Sequence, residues 1–217
     1  MDISLIMRGI AVGAIPVLFA ITLHEVAHGW MAKRCGDRTA ELLGRLSLNP
    51  LKHVDPVGTI LVPALMFTFS GFLFGWAKPV PVAFSQLNRP KRDMVWVALA
   101  GPAANLVMGV FWALVLKFTL VSGLASGFMG EWLISMSRIG ILINALLAAF
   151  NLLPLPPLDG GRVLRGLVNE SIGQYLDRIE PFGLIILVLL LVSGFLWVLV
   201  GPILGLVESL IVFVAGL

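Results

Sequence analysis

Charged residues are scarce in this chain. Asp, Glu, Lys and Arg together make up 12% of its 217 residues, about half the ~25% of an ordinary soluble domain. A water-facing surface cannot be built from so few polar groups. Cysteine is nearly absent as well. Cys35 stands alone, which excludes an intrachain disulfide, and the sequence offers it no partner that would make it a reactive thiol. Internal repeats and low-complexity linkers are missing, so neither an array nor a tethered second domain is expected. The net charge of +3 is too small to mark a nucleic-acid binder, and no nucleic acid is expected as a partner. No removable signal peptide is expected either, because the first apolar segment carries the strongest chemical motif in the chain.

What the chain has instead is apolar residues, 59% of the total. Several runs approach the ~20 residues that cross a bilayer. They predict an all-α integral membrane protein, a multi-pass helical bundle forming one polytopic domain over residues 1–217. The lipid bilayer is its expected surroundings. Apolar segments fall at 9–32, 58–76, 94–120, 132–153 and 181–217, separated by polar interruptions at 35–56, 77–93 and 154–180. The last apolar stretch is 37 residues, about 55 Å as one helix and too long for one upright crossing. Gly201-Pro202 is where it is expected to kink or split. An amphipathic piece is expected over 162–179.

Ten of the fifteen Lys and Arg residues lie in the three interruptions and two more, Lys33 and Arg34, at the edge of the first, while the turn at 121–130 has none. The positive-inside rule then places all three interruptions on the cytoplasmic side of a cell (inner) membrane. Segments 94–120 and 132–153 become an out-and-back pair. The run 58–76 must begin and end on one side, so it is predicted to re-enter or bend, in keeping with Pro63 and Gly71.

His24-Glu25-Val26-Ala27-His28 sits inside the first apolar segment. Ionisable side chains are costly in lipid and call for a function there. Residues four apart share a helix face, so His24 and His28 can hold one metal ion. Glu25 is rotated about 100° from His24 and can serve as a base beside that ion. The motif lies about 10 Å below the cytoplasmic interface by helical rise from Lys33. The end of the fourth apolar segment returns to a similar depth. It is broken there by Pro154, Pro156 and Pro157, and unwound backbone at that depth should wall a site. Asp159 follows, before Gly160-Gly161. It reads as a third ligand beside an open coordination position, which favours zinc; alternatively it caps a helix starting near Arg162.

Through these motifs the chain resembles the site-2 protease family of intramembrane zinc metalloproteases, in a compact prokaryotic branch without a PDZ domain. The resemblance rests on His24-Glu25-Val26-Ala27-His28, on Asn151-Leu152-Leu153-Pro154-Leu155-Pro156-Pro157-Leu158-Asp159-Gly160-Gly161, and on Ala100-Gly101-Pro102-Ala103-Ala104-Asn105. Leu48-Asn49-Pro50, Asp55-Pro56 and Gly75-Trp76-Ala77-Lys78-Pro79-Val80-Pro81 point to the same branch. The resemblance implies Zn2+ held by His24, His28 and Asp159, with Glu25 as base. It implies that Asn151 faces the site, where it helps hold the substrate or the oxyanion. It also implies a catalytic core over about 10–165, with C-terminal membrane segments in 181–217, and a transmembrane protein or peptide as substrate. That substrate must unwind locally, and residues 77–82 or 154–158 could pair with the extended stretch.

The same three ligand residues would also suit a metal-binding membrane transporter or channel. Glu25 separates the two readings, because a protease needs it as a base and an ion path does not. His53 reads either as a gating residue near the site or as an ordinary loop histidine. Asn105 and Asn144 read as amides that bridge helices. Lys117 and Arg138 read as snorkelling side chains at the outer ends of their segments.

Overall fold

A computed structural model describes residues 3–62 and 77–217. Among them the chain is helical, with no β-strand. The first apolar segment forms α1 (Ile3–Arg34), which ends on Lys33 and Arg34, cations placed where a helix C-terminus favours them. A loop follows, holding the short α2 (Thr39–Leu42) and a 3-10 turn at Pro50–His53. The predicted bend within 58–76 falls largely on residues 63–76, outside the described residues. Residues 77–83 belong to no helix or strand, and Pro79 and Pro81 bias the residues before them toward extended backbone.

Next come α3 (Pro90–Val121) and α4 (Phe128–Asn151). Pro90 at the first position of α3 costs no hydrogen bond, since that N–H has no partner within a helix. The stretch predicted as one amphipathic piece is two helices, α5 (Asp159–Leu167) and α6 (Glu170–Ile179). The break comes from extended Val168 and from Asn169, whose side chain caps α6 by accepting from the Ile172 N–H at 3.0 Å. Arg165 closes the pair with ion pairs to Glu170 and Asp177, both at 2.8 Å.

The C-terminal apolar stretch does split, but not at Gly201-Pro202. It forms α7 (Gly183–Val192) and α8 (Phe195–Ala215), and α8 runs through Pro202. The break sits at Gly194, whose φ of +76° ends a helix at no steric cost. Ten residues of α7 reach only about 15 Å, too short to cross a bilayer.

Among the described residues four helices are long and apolar enough to cross a membrane: α1 over Ala11–Arg34, α3, α4 and α8. Helix α3 packs against α1, α4, α5 and α8. The contacts use small residues: Ala20, Ala98, Ala113, Ala145, Ala148 and Ala149 are fully buried. Lipid gives apolar helices no hydrophobic drive to associate, so close backbone approach through small side chains does that work. Large apolar residues such as Val107, Phe118, Leu189 and Phe213 face outward, as a lipid-facing surface requires. At the end of α3 remote from the site, Lys117 does not snorkel freely. Its Nζ donates to the carbonyls of Ala215 and Gly216, at 3.0 and 2.9 Å, and so caps α8.

Candidate metal centre

Helix α1 brings His24 and His28 to one face, and α5 brings Asp159 to meet them. All three are buried, at 8%, 7% and 5% exposure. Asp159 is the first residue of α5 and makes no capping hydrogen bond; the cap position belongs to Leu158. The helix-cap alternative for Asp159 therefore falls away. Gly160 and Gly161 permit its placement. A Cβ on Gly160 would collide with the carbonyls of Leu152 and Leu153, and one on Gly161 would lie 2.6 Å from the nitrogen of Pro156.

Hydrogen bonding sets the state of both rings. Nδ1 of His28 donates to the carbonyl of Val97 at 2.7 Å, and Nδ1 of His24 donates to Oδ1 of Asn105 at 2.6 Å. Each ring therefore carries its proton on Nδ1 and points an Nε2 lone pair at the other ring. The two Nε2 atoms are 3.0 Å apart, and each is 3.2 Å from Oδ2 of Asp159. That oxygen is buried with no hydrogen-bond donor. Three lone-pair atoms thus converge with no proton among them, an arrangement that repels itself unless a cation lies between. Tetrahedral zinc with ligands at ~2.0–2.2 Å would space them about 3.3–3.5 Å apart, a few tenths from what is seen. The donor set fits the ion, and these residues form a group able to hold one.

Glu25 is half-buried beside the cluster. Its Oε2 accepts from the backbone N–H of Val80 at 2.7 Å. Val80 belongs to the segment 77–83, which is tied at both ends. The Lys78 N–H donates to the His53 carbonyl at 2.9 Å, and the Ala83 N–H donates to Oδ2 of Asp37 at 2.7 Å. Burial alone would raise the Asp37 carboxyl, but hydrogen bonds from Thr39 and Ala83 hold it below its ordinary value. Asn151 ends α4. Its Nδ2 donates to the Leu147 carbonyl at 3.0 Å, leaving one N–H of the amide unused.

A cavity of about 150 Å³ joins these groups. It is lined by His24, Glu25, His28, Asn151 and Asp159, with Val80, Phe84 and Arg162 at its sides. The structure thus brings together all five residues singled out in the sequence. His53 is not among the lining residues. It is buried in its own loop, with Nε2 donating to the Ser47 carbonyl at 2.9 Å, which favours the loop-histidine reading.

Some contributors were not read as such from the sequence. Gly101 is the clearest, since a Cβ there would strike Nε2 of His28 and lie 2.6 Å from Cε1 of His24. Its signal was present in Ala100-Gly101-Pro102, a small residue before a proline on a packed helix. Asn105 does bridge helices, as its amide predicts, but it also holds a histidine of the cluster.

Comparison with known proteins bears on this geometry. The chain matches the model for peptidase family M50 over residues 12–134 and 128–194. It is 39% identical over 181 residues to "Putative zinc metalloprotease YwhC" of Bacillus subtilis, covering 82% of this chain and 79% of that protein. It is 33% identical over 180 residues to "Putative zinc metalloprotease Rip2" of Mycolicibacterium smegmatis, covering 81% of this chain and 64% of that protein. A further relative, "Zinc metalloprotease MJ0392" of Methanocaldococcus jannaschii, is 25% identical over 163 residues, which are 75% of this chain and 36% of that protein. No solved structure matches the chain.

Proposed function

The chain belongs to peptidase family M50 and is a multi-pass membrane zinc metallopeptidase, and on that premise we propose that it is an intramembrane endopeptidase, cutting peptide bonds within or near transmembrane segments of other proteins. The observation that carries the proposal is the convergence of three lone pairs, two on a helix long and apolar enough to cross a membrane, next to a carboxylate and an open cavity. Membership in a peptidase family decides against the ion-path alternative.

In this reading His24, His28 and Asp159 hold the ion. Zinc so held supplies Lewis acidity, lowering the pKa of water toward 7 and polarising a carbonyl. Glu25 acts as the base: it takes a proton from the attacking water and passes it to the leaving amine. The Val80 N–H keeps its carboxylate aimed into the cavity. Asn151, anchored through Leu147, has its second amide N–H free for the developing oxyanion. A substrate strand pairing with 77–82 would meet a partly committed edge. Pro79 and Pro81 have no N–H, those of Lys78 and Val80 are bonded, and Arg45 occupies the carbonyls of Lys78 and Pro79. Ala77 and Val82 are left to offer an N–H.

Residues 1–217 are read as one protease domain. The basic residues in 35–56, 77–93 and 154–180 favour a cell membrane with the site on the cytoplasmic side. A reporter fused in the 77–93 loop that reads extracytoplasmic would overturn that orientation.

The direct test is cleavage of a model transmembrane substrate in detergent by wild type, by Glu25→Gln and by wild type with a chelator. Activity lost in both latter cases, with Glu25→Gln still holding zinc, supports the mechanism. Unchanged cleavage by Glu25→Gln would end it.

A further inference from the structure

The ring of His28 is held by backbone, but the ring of His24 is held by a side chain. That side chain is one link in a buried run of amides crossing three helices. Nδ2 of Asn144 (α4) donates to the Gly140 carbonyl at 2.8 Å. Its Oδ1 accepts from Nδ2 of Asn105 (α3) at 2.9 Å, and the same Nδ2 donates to the Ala20 carbonyl (α1) at 3.1 Å. Oδ1 of Asn105 then accepts from Nδ1 of His24. Asn105 and Asn144 are both fully buried.

The direction of every bond in this run is forced. The carbonyls of Gly140 and Ala20 can only accept, so each Nδ2 must face them. Rotating the Asn105 amide by half a turn would set its oxygen against two other oxygens, out of reach of water, which is costly. The oxygen of Asn105 is therefore locked toward His24, and an oxygen there admits only an Nδ1–H. The opposite tautomer would put the proton on Nε2, where it faces Nε2 of His28 and Oδ2 of Asp159, and would remove the lone pair that an ion needs.

We infer that Asn105 is a positioning residue for the metal, holding His24 in its Nδ1–H tautomer, and that Asn144 orients Asn105 for this task. The inference rests on the reading of His24 as a ligand. Partners of this kind typically carry 10–100-fold of metal affinity. Only the His24 partner can be changed by mutation, since that of His28 is the Val97 backbone.

The test uses full-length protein in detergent, with zinc alone as the probe, titrated in competition with a chromophoric chelator. Visible spectra of the Co2+ form report ligand geometry. Asn105→Leu removes the acceptor and is expected to weaken zinc by about 10–100-fold and alter the Co2+ bands. Asn105→Asp keeps an acceptor for His24 but has no donor for Ala20 or Asn144. If Asn105 acts through His24, Asn105→Asp, which keeps the acceptor, loses measurably less zinc affinity than Asn105→Leu. If it merely bridges helices, Asp and Leu are equally damaging. Melting and gel filtration establish folding. Should Asn105→Leu not fold, Asn105→Ala, which also removes the acceptor, carries the same expectation. Wild-type affinity in the Leu (or Ala) variant, or equal losses in it and in Asn105→Asp, would overturn the inference. His24→Leu is the control for the reading beneath it: wild-type zinc binding there would overturn the ligand assignment itself.

Discussion

Glu25 and Val80 lie 55 residues apart in the chain, yet a 2.7 Å hydrogen bond joins the carboxylate of one to the backbone N–H of the other. The carboxylate proposed as the base is thus positioned by a residue of the segment 77–83 and not by its own helix alone. Val80→Pro removes that N–H and nothing from the three residues proposed to hold the ion. Zinc content should remain that of wild type while kcat falls roughly 10-fold, as expected for one hydrogen bond to a charged group. Metal analysis beside steady-state proteolysis checks this, and unchanged kcat would show that the bond does not aim the base.

Gly101 makes room for both imidazoles. A Cβ at this position would occupy the space of the His28 Nε2 atom. Gly101→Ala should therefore lose zinc by at least the ~100-fold that follows disturbance of a ligand's support, while keeping its helical content. Stoichiometric zinc in purified Gly101→Ala would refute this.

Asn151 lines the cavity with one amide N–H unused and lies outside the three residues proposed to hold the ion. Asn151→Ala is expected to lower kcat by about 10²–10³-fold, the usual cost of one oxyanion donor. Zinc affinity should not change. A variant that lost zinc along with activity would point to a structural role instead.

Asp37 ties the end of α1 to Ala83 and thereby fixes the segment 77–83 beneath the site. Its pKa is lowered on folding. A lowered carboxylate contributes stability in full above its unfolded pKa, near 4, and loses it as pH falls through the folded value. Asp37→Asn should melt below wild type at pH 7, with the gap closing from about pH 4 downward. Melts of both proteins between pH 7 and pH 3 test it, and a gap independent of pH would sink the assignment.

The helices that cross the membrane were legible as apolar runs, because lipid demands continuous apolar length whatever the neighbours are. The pair His24 and His28 was legible for a local reason as well: four residues on a helix is one face. Asp159 was legible only in part, since a carboxylate between a broken segment and Gly160-Gly161 reads as a third ligand but can also cap a helix, and Asn151 was reached through the family motif alone. The end of α7 shows where local reading misled. Pro202 looked like the breaker, yet a proline forfeits one N–H that a membrane helix tolerates, whereas Gly194 takes a positive φ that a helix cannot continue through.

The amino-acid order alone thus determined an all-α membrane chain, one helix face that carries two histidines, and the carboxylate next to them. Tertiary structure alone decided which atoms of those residues are free to act. The tautomer of His24 depends on Asn105, 81 residues away, the space for His28 on Gly101, and the aim of Glu25 on Val80. Each depends on how α1, α3 and the segment 77–83 cross, and a crossing is set by side-chain packing between segments that no local pattern encodes.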